Sequence, residues 1–325
     1  MKAILVAKNK ELLWKDVANP TVKNDEVLVK VAYAAVNRAD LMQRDGDYPP
    51  PKGCPEWMGL EVSGEIIEIG NSKETIEKWK IGDKVCCLFG GDGYAEYVAV
   101  KYDMCMPVPE NCSMAEAAAI PEAFATAYLK LFIEGKAKKG ETLLMNAGAS
   151  GLASVVIPMA KAFGLRVITT VIKNPDKIAH LYADLVVNTK EQSIVEVLKK
   201  EESEGRGVDI AIDCLGGEVL GECLPYVNYA CRWIVIASLA GDYTTINLKN
   251  IFKKNIRIIG STLRSRTPEM KAYILSELVK NVWDKISSGE IKPTIYKVLP
   301  ITEAEQAHDL LKNGVSVGKV VLKVN

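Results

Sequence analysis

Histidine is scarce in this chain, because its 325 residues include only His180 and His308. A metal site built from several histidines is therefore excluded, and a Ser-His-Asp triad would have to use one of these two. Both histidines lie in polar segments with a helical pattern, at residues 177–182 and 303–312. We predict that both side chains are exposed.

The eight cysteines include no C-x-x-C pair, the spacing that is typical of zinc and dithiol redox sites. Cys86 and Cys87 are adjacent in an apolar run that resembles a strand. This pattern favours small buried thiols in a reducing compartment over disulfides or metal ligands.

Neither sign of charge is in excess, since 41 basic residues balance 41 acidic ones. A neutral surface argues against nucleic acid or an anionic membrane as a partner. No charge-free run reaches the roughly 18 apolar residues of a membrane span, and the apolar segment at residues 3–7 is too short for a signal peptide. We predict a cytoplasmic protein with no nucleic-acid partner and no membrane partner.

The length predicts two domains, because a domain typically contains about 150 residues. The first third has strand-like segments at residues 2–7, 27–34, 61–69, 84–88 and 94–98, separated by turn residues. The three prolines at 49–51 are incompatible with a central strand and indicate a surface loop. Together these features predict an irregular β-rich domain.

The pattern changes near Ser113, whose spacing to Glu116 is that of a capping box and predicts a helix. Six short buried strands then alternate with helices, at residues 142–146, 166–171, 185–188, 208–213, 233–237 and 257–261. This alternation predicts an α/β fold, in which a doubly wound parallel sheet has helices on both faces. A long helix at 268–286 and two strands near 295–299 and 319–323 are expected to return to the β-rich domain. The predicted domains are residues 1–122 with 264–325, and residues 123–263.

The segment at residues 142–153 carries the clearest functional signal. A buried strand is followed by the small-residue turn Gly148, Ala149, Ser150, Gly151 and Leu152, and a helix begins directly behind it. Such a turn lets the backbone approach a pyrophosphate at a helix N-terminus. The glycine fingerprint is imperfect, and a small-residue turn is also compatible with tight packing alone. Its place at the first strand–helix junction of the series favours dinucleotide binding.

The choice between NAD and NADP is indicated by the next strand. NAD enzymes usually place an acidic residue at its end to hold the ribose 2′-hydroxyl, but residues 167–174 contain none. Lys173 and Lys177 can attract a 2′-phosphate, although both are also compatible with simple solvated lysines. We predict NADP(H) as the cofactor.

Several longer motifs resemble one enzyme family. They are NRADLMQR at 37–44, GLEVSG at 59–64, WKIGD at 79–83, AAIPEA at 118–123 and the C-terminal segment at 314–322. The chain resembles zinc-independent quinone oxidoreductases of the medium-chain dehydrogenase/reductase superfamily, a resemblance that spans essentially the whole chain. NRADLMQR and the run LRSR at 263–266 are most similar to the tumour-suppressor-inducible branch.

The chain departs from the zinc alcohol dehydrogenases of that superfamily at two ligand positions. Those enzymes have a cysteine where this chain has Asn37, and a histidine where it has Leu60. An amide and an aliphatic side chain cannot replace a thiolate and an imidazole on Zn²⁺. The resemblance therefore implies no metal, with Glu61 kept as a structural carboxylate.

The resemblance implies a GroES-like β-rich catalytic domain and a Rossmann domain that together reduce a quinone with NADPH. A quinone is already electrophilic, so the protein mainly has to orient the two reactants. Asn37 and Tyr48 are expected to line the substrate pocket and contact the cofactor. The alternatives are that Asn37 caps a turn and that Tyr48 packs on the prolines. The other cofactor contacts that the resemblance implies are Arg38, Met42, Thr126, Thr170, Thr189, Cys214, Leu215, Ser238, Leu239, Leu263 and Arg264.

Two other functions stay open. One is NADPH-dependent reduction of an activated double bond in an enal or enone, for which Tyr48 is the candidate acid. The other is a non-catalytic NADPH-sensing or RNA-binding protein, because a fold does not fix a function. The apolar edge strand at 257–261 can pair with a second copy, so we also predict a homodimer.

Overall fold

The computed structural model describes residues 1–51, 54, 57–314 and 316–324, so residue 315 of the C-terminal motif lies outside the described residues. The chain divides into two units, Met1–Ala125 with Arg264–Asn325 and Thr126–Leu263. The finer domain limits given above stay a prediction.

Strands are numbered in chain order. They are β1 (Lys2–Val6), β2 (Leu12–Asp16), β3 (Glu26–Ala35), β4 (Glu61–Ile69), β5 (Lys84–Leu88), β6 (Tyr97–Lys101), β7 (Cys105–Pro107), β8 (Thr142–Met145), β9 (Arg166–Val171), β10 (Leu185–Asn188), β11 (Val208–Asp213), β12 (Val227–Val235), β13 (Arg257–Gly260), β14 (Ile295–Pro300) and β15 (Lys319–Lys323).

The α-helices are numbered in the same way. They are α1 (Arg38–Asp45), α2 (Lys73–Lys78), α3 (Met114–Ala118), α4 (Pro121–Tyr128), α5 (Ala153–Ala162), α6 (Ile194–Ser203), α7 (Gly217–Cys223), α8 (Leu248–Lys254), α9 (Pro268–Ser287) and α10 (Ala304–Lys312). A π-helical segment, Leu129–Glu134, follows α4, and short 3-10 helices include Pro175–Leu181. Among the described residues, none of the helices is long and apolar enough to span a bilayer.

A seven-stranded sheet forms the centre of the first unit. Its order is β14-β15-β3-β4-β5-β7, with β6 also paired to β3. The pairing of Val321 in β15 with Ala35 in β3 confirms that the C-terminal strands return to the N-terminal sheet. Cys86 and Cys87 lie buried in β5, and the described residues contain no disulfide.

A six-stranded parallel sheet forms the second unit, in the order β10-β9-β8-β11-β12-β13. Its strands carry buried apolar residues on both faces, and side chains such as Leu144, Ile168 and Trp233 join one core cluster with residues from α6 and α7. This arrangement confirms the predicted doubly wound sheet.

Local sequence explains several helix boundaries. The Ser113 hydroxyl accepts from the Glu116 N–H at 3.2 Å while the Glu116 carboxylate accepts from the Ser113 N–H at 2.8 Å, which confirms the predicted capping box. Helix α1 is capped at its C-terminus by Gly46, whose φ of +92° is readily adopted only by glycine.

The predicted strand at 94–98 begins later than expected, as β6 at Tyr97. The backbone N–H groups of Gly93 and Tyr94 donate instead to the carbonyls of Gly59 and Met58, so this segment is bonded to residues 58–59 before β6 begins. Helices α1, α2 and α8, and strands β2 and β7, were not predicted.

The prediction that His308 is exposed was wrong, whereas His180 is exposed as expected. His308 lies four residues after Ala304 on α10, and this spacing places both on the same buried face of the helix. Its Nε2 lies 3.4 Å from Oη of the buried Tyr94. Burial, together with the nearby charge of Arg44, lowers the pKa of His308 to about 3.

A neutral, buried His308 makes the first unit sensitive to acid. Below the ordinary histidine pKa of 6.5 the unfolded chain binds a proton that the folded chain does not, so the free energy of unfolding falls as the pH falls towards 3. We expect His308→Gln to reduce this slope by up to about 1.4 kcal/mol per pH unit, measured by urea denaturation from about pH 7 to pH 4.5. The exposed control His180→Gln should keep the wild-type slope; an unchanged slope in His308→Gln contradicts the assignment.

Candidate functional site

In the second unit, the turn between β8 and α5 lies where the strand order reverses. The strands on either side of this point are β8 and β11, and their carboxyl ends share one edge of the sheet. Ligands of open α/β sheets bind outside this edge, at the reversal point. The turn at residues 146–152 therefore occupies the expected position for a dinucleotide.

Gly148 is required by the packing of this turn. Its N–H donates to the Thr170 carbonyl at 2.7 Å. A Cβ added at Gly148 would lie 2.5 Å from Thr169 Oγ1 and 3.0 Å from Ile178 Cδ1. A larger residue at this position would push the turn away from β9 and would change the shape of the predicted pyrophosphate site.

Ser150 shapes the start of the helix behind the turn. Its hydroxyl accepts from the Ala153 N–H at 3.1 Å. Among the described residues, the N–H groups of Ala149, Gly151 and Leu152 make no hydrogen bond. Unpaired N–H groups at a helix N-terminus fit a pyrophosphate.

A buried polar network, not recognised in the sequence, holds this turn in place. Asp213 at the end of β11 accepts from Asn146 Nδ2 at 3.0 Å and from the Leu215 N–H at 2.8 Å. Thr170 accepts from the Ala147 N–H at 3.0 Å and donates to Asn146 Oδ1 at 3.3 Å. Polar residues at the carboxyl ends of otherwise apolar strands are the sequence signal that was available for Asn146 and Asp213.

The remaining predicted cofactor residues of the second unit mostly follow successive strands at this carboxyl edge. Thr189 is exposed, and its hydroxyl donates to the Val171 carbonyl at 3.3 Å. Ser238 donates to Asp242 Oδ1 at 2.5 Å. Of the others, Lys173, Lys177 and Leu239 are exposed, Thr126 on α4 and Leu215 are partly buried, and Cys214 and Leu263 are buried.

In the first unit, a buried ion pair lies beside Asn37. Glu61 is fully buried, and its Oε1 lies 2.7 Å from Lys319 Nζ. Asn37 bridges the pair, because its Nδ2 donates to Glu61 Oε1 at 3.0 Å and its Oδ1 accepts from Lys319 Nζ at 2.5 Å. The second oxygen, Glu61 Oε2, accepts from the backbone N–H of Glu122 at 2.8 Å. Sequence reasoning missed both Lys319 and Glu122.

Helix α1 is positioned by a second buried carboxyl. Asp40 accepts from the Asn37 N–H at 2.7 Å, from the Gly59 N–H at 3.1 Å and from Tyr94 Oη at 3.2 Å. Burial raises the pKa of Asp40 to about 6, against the lowering effect of these hydrogen bonds. Arg38 and Met42, four residues apart on α1, are exposed on one face of the helix.

Tyr48 is held by Arg264. The guanidinium carbon lies 4.9 Å from the centre of the Tyr48 ring, and Arg264 also donates to the Tyr48 carbonyl at 3.1 Å and to the Gly90 carbonyl at 2.7 Å. Arg264 is 5% exposed, so its contacts to this loop are shielded from solvent. The geometry fixes the orientation of the tyrosine.

Comparisons with known proteins agree on one family. Residues 23–110 match the alcohol dehydrogenase GroES-like domain, and residues 181–322 match a zinc-binding dehydrogenase domain. A quinone oxidoreductase of Mus musculus is 30% identical over 315 residues, which cover 95% of this chain and 92% of that protein. A quinone oxidoreductase of Thermus thermophilus, whose structure is also known in complex with NADPH, is 28% identical, with a TM-score of 0.82 and full coverage of both chains.

The fold is also shared with more distant proteins. The JamJ enoyl reductase in its apo form has a TM-score of 0.86 at 23% identity, covering 100% of this chain and 99% of that one. At this identity the likeness shows the fold alone.

The Lys319–Glu61 pair makes a testable contribution to stability. Lys319→Met leaves a buried carboxylate without its cation, so we expect the free energy of unfolding to fall by about 3–5 kcal/mol. The double variant Glu61→Gln/Lys319→Met removes both charges and should recover part of this loss. Urea denaturation measures both; a Lys319→Met protein as stable as the wild type contradicts the assignment.

Proposed function

The chain belongs to the medium-chain dehydrogenase/reductase superfamily, and on that premise we propose that it transfers a hydride from NADPH to a quinone without zinc. The relatives at about 30% identity that bear the name quinone oxidoreductase support the substrate class. The observation that carries the metal-free chemistry is the Lys319 ammonium beside Asn37 and Glu61.

The residues at the zinc-ligand positions do not fit a zinc ion. Asn37 uses both ends of its amide, one on Glu61 and the other on Lys319. Leu60 is apolar and fully buried, and it offers no ligand atom. An ammonium hydrogen-bonded to two of the side chains at this position would repel Zn²⁺, whose sites are built from thiolates, imidazoles and carboxylates. Lys319 supplies the positive charge that balances Glu61.

The residues of the dinucleotide turn fit NADPH, which supplies the hydride when bound. The N–H groups of Ala149, Gly151 and Leu152 would donate hydrogen bonds to the pyrophosphate, and Gly148 keeps the turn close to β9. No acidic residue lies between Arg166 and Asn174, so a 2′-phosphate meets no carboxylate there. Exposed Lys173 and Lys177 follow β9 and would pair with that phosphate.

Substrate orientation is the main task of the first unit in this proposal. Asn37 is immobilised by Glu61 and Lys319, and Tyr48 by Arg264. Side chains held in one orientation hold a planar substrate at low entropic cost. The same unit leaves the substrate pocket residues Asn37 and Tyr48 partly exposed, so a small molecule can reach them.

We also propose that the protein is cytoplasmic and acts as a homodimer. Strand β13 is at the edge of its sheet, and its Ile258 is 41% exposed. Leu248 and Phe252 on the neighbouring α8 are more than two-thirds exposed. An apolar sheet edge of this kind favours pairing with a second copy.

The proposed reaction is tested with protein freed of metal by a chelator. We expect saturating NADPH to be oxidised in the presence of ortho- or para-quinones, at a rate that added Zn²⁺ does not raise. NADPH consumption is followed by its absorbance, with heat-denatured protein as the control. No oxidation above that control, or activity only after zinc is added, contradicts the proposal.

The two lysines after β9 are expected to set the cofactor preference. Lys173→Ala/Lys177→Ala removes charge-assisted contacts to the 2′-phosphate, so we expect the KM for NADPH to rise about tenfold or more while the KM for NADH stays unchanged. The matched control is Lys199→Ala/Lys200→Ala, two exposed lysines near the end of α6 in the same unit. If the wild type uses NADH as well as NADPH, the assignment of these lysines is wrong.

A further inference from the structure

Glu122 is the second residue of α4, and its backbone is fixed beside the buried ion pair. Its N–H donates to Glu61 Oε2 at 2.8 Å. Its own carboxyl makes no hydrogen bond or salt bridge to any part of the chain that the structure describes. The residue is only partly exposed. The backbone of Glu122 is therefore fixed, while its carboxyl has no partner among the described residues and is available to a ligand.

The charged groups around Glu122 come from four different elements. Burial is the main effect that raises the pKa of its carboxyl, and the carboxylate of Glu61 is the next. The ammonium groups of Lys319 and Lys271 oppose this effect, and Asp40 adds to it. The effects that raise the pKa outweigh those of the two lysines, and the pKa of Glu122 is about 7. A general acid is most effective when its pKa lies near the working pH, and the pKa of Glu122 is raised into that range.

Glu122 also lies close enough to Tyr48 for their charges to interact. Burial is the main effect that raises the pKa of the Tyr48 phenol, and the Glu122 carboxylate raises it further against the opposing charge of Arg264. A phenol with a raised pKa holds its proton at neutral pH. Of these two neighbours, the carboxyl of Glu122 is thus the stronger acid.

We propose that Glu122 donates the proton that neutralises the reduced substrate, a role that rests on the proposed quinone reduction. Hydride transfer adds two electrons and one hydrogen to the quinone and leaves a hydroquinone monoanion. The O–H bond of the Glu122 carboxyl then breaks, and a new O–H bond forms on the substrate oxygen. The resulting carboxylate regains a proton from water. The negative charge delivered by the hydride is in this way removed from a site that already contains the buried Glu61.

The pH dependence of the reaction tests this role. Wild-type kcat/KM for a quinone should be constant below pH 7 and fall above it, because the acid must be protonated. Glu122→Gln should lose this dependence, and its kcat at pH 6 should fall about 100-fold. Glu122→Asp keeps an acidic group and should retain the pH dependence at a lower rate. This variant still tests the role of Glu122 if Glu122→Gln does not fold. Glu110→Gln, the same change at an exposed position, is the matched control and should behave as the wild type.

The outcomes separate this role from the proposed function. If the wild type reduces quinones and Glu122→Gln keeps the wild-type rate and pH dependence, the role of Glu122 is overturned and the proposed function stands. If Glu122→Gln and Glu122→Asp lose activity and pH dependence alike, the residue has only a structural role, and the proposal is again overturned. If the wild type reduces no quinone, both proposals fail.

Discussion

The buried ion pair between Lys319 and Glu61 is the interaction on which the first unit depends. It joins the start of β15 to the start of β4, two positions that are far apart in the sequence. Removing two charges from water costs several kcal/mol for each ion, so such a pair persists only when its other lone pairs and protons are also satisfied. Asn37 and the Glu122 N–H provide these additional hydrogen bonds. Because Asn37 precedes α1 and Glu122 is the second residue of α4, the N-termini of both helices are bound to the ion pair.

One buried carboxylate organises the functional residues in each unit. In the second unit Asp213 receives hydrogen bonds from Asn146 and from the loop after β11, and this fixes the turn that carries Gly148. In the first unit Glu61 receives hydrogen bonds from Asn37, Lys319 and the start of α4. A satisfied polar network is rigid, because each partner that moves leaves another unpaired in a medium of low dielectric constant. Preorganised groups of this kind are what a reaction without a metal requires.

Several strands and helix starts were predicted from patterns in the neighbouring sequence. The bounds of β4 and β5 agree with their apolar alternation, and the spacing of Ser113 and Glu116 correctly marks the start of α3. The small-residue turn at Gly148 was located from the strand and helix on either side. Helix α8 was missed although Leu248, Ile251 and Phe252 have helical spacing, because a segment of seven residues is too short to show that period clearly.

Side chains whose roles come from distant partners were not predictable in this way. His308 lies in a segment of polar composition, and only the packing of α10 shows that it belongs to the buried face. Lys319 and Glu122 resemble ordinary charged residues in the sequence, and only the positions of β15 and α4 in the fold bring them to Glu61. The resemblance to a family did locate Asn37 and Glu61, but the cation that balances them was visible only in the fold.

Hydride transfer without a metal is the central claim, and single-turnover kinetics with isotopically labelled cofactor test it most directly. Metal-free protein is loaded with NADPH carrying either hydrogen or two deuterium atoms at C4 of the nicotinamide, and is then mixed rapidly with a quinone. The account predicts cofactor oxidation that is slower with deuterium, because the C4 bond to hydrogen breaks during the transfer. Equal rates for the two cofactors, or no oxidation faster than in buffer, would contradict it.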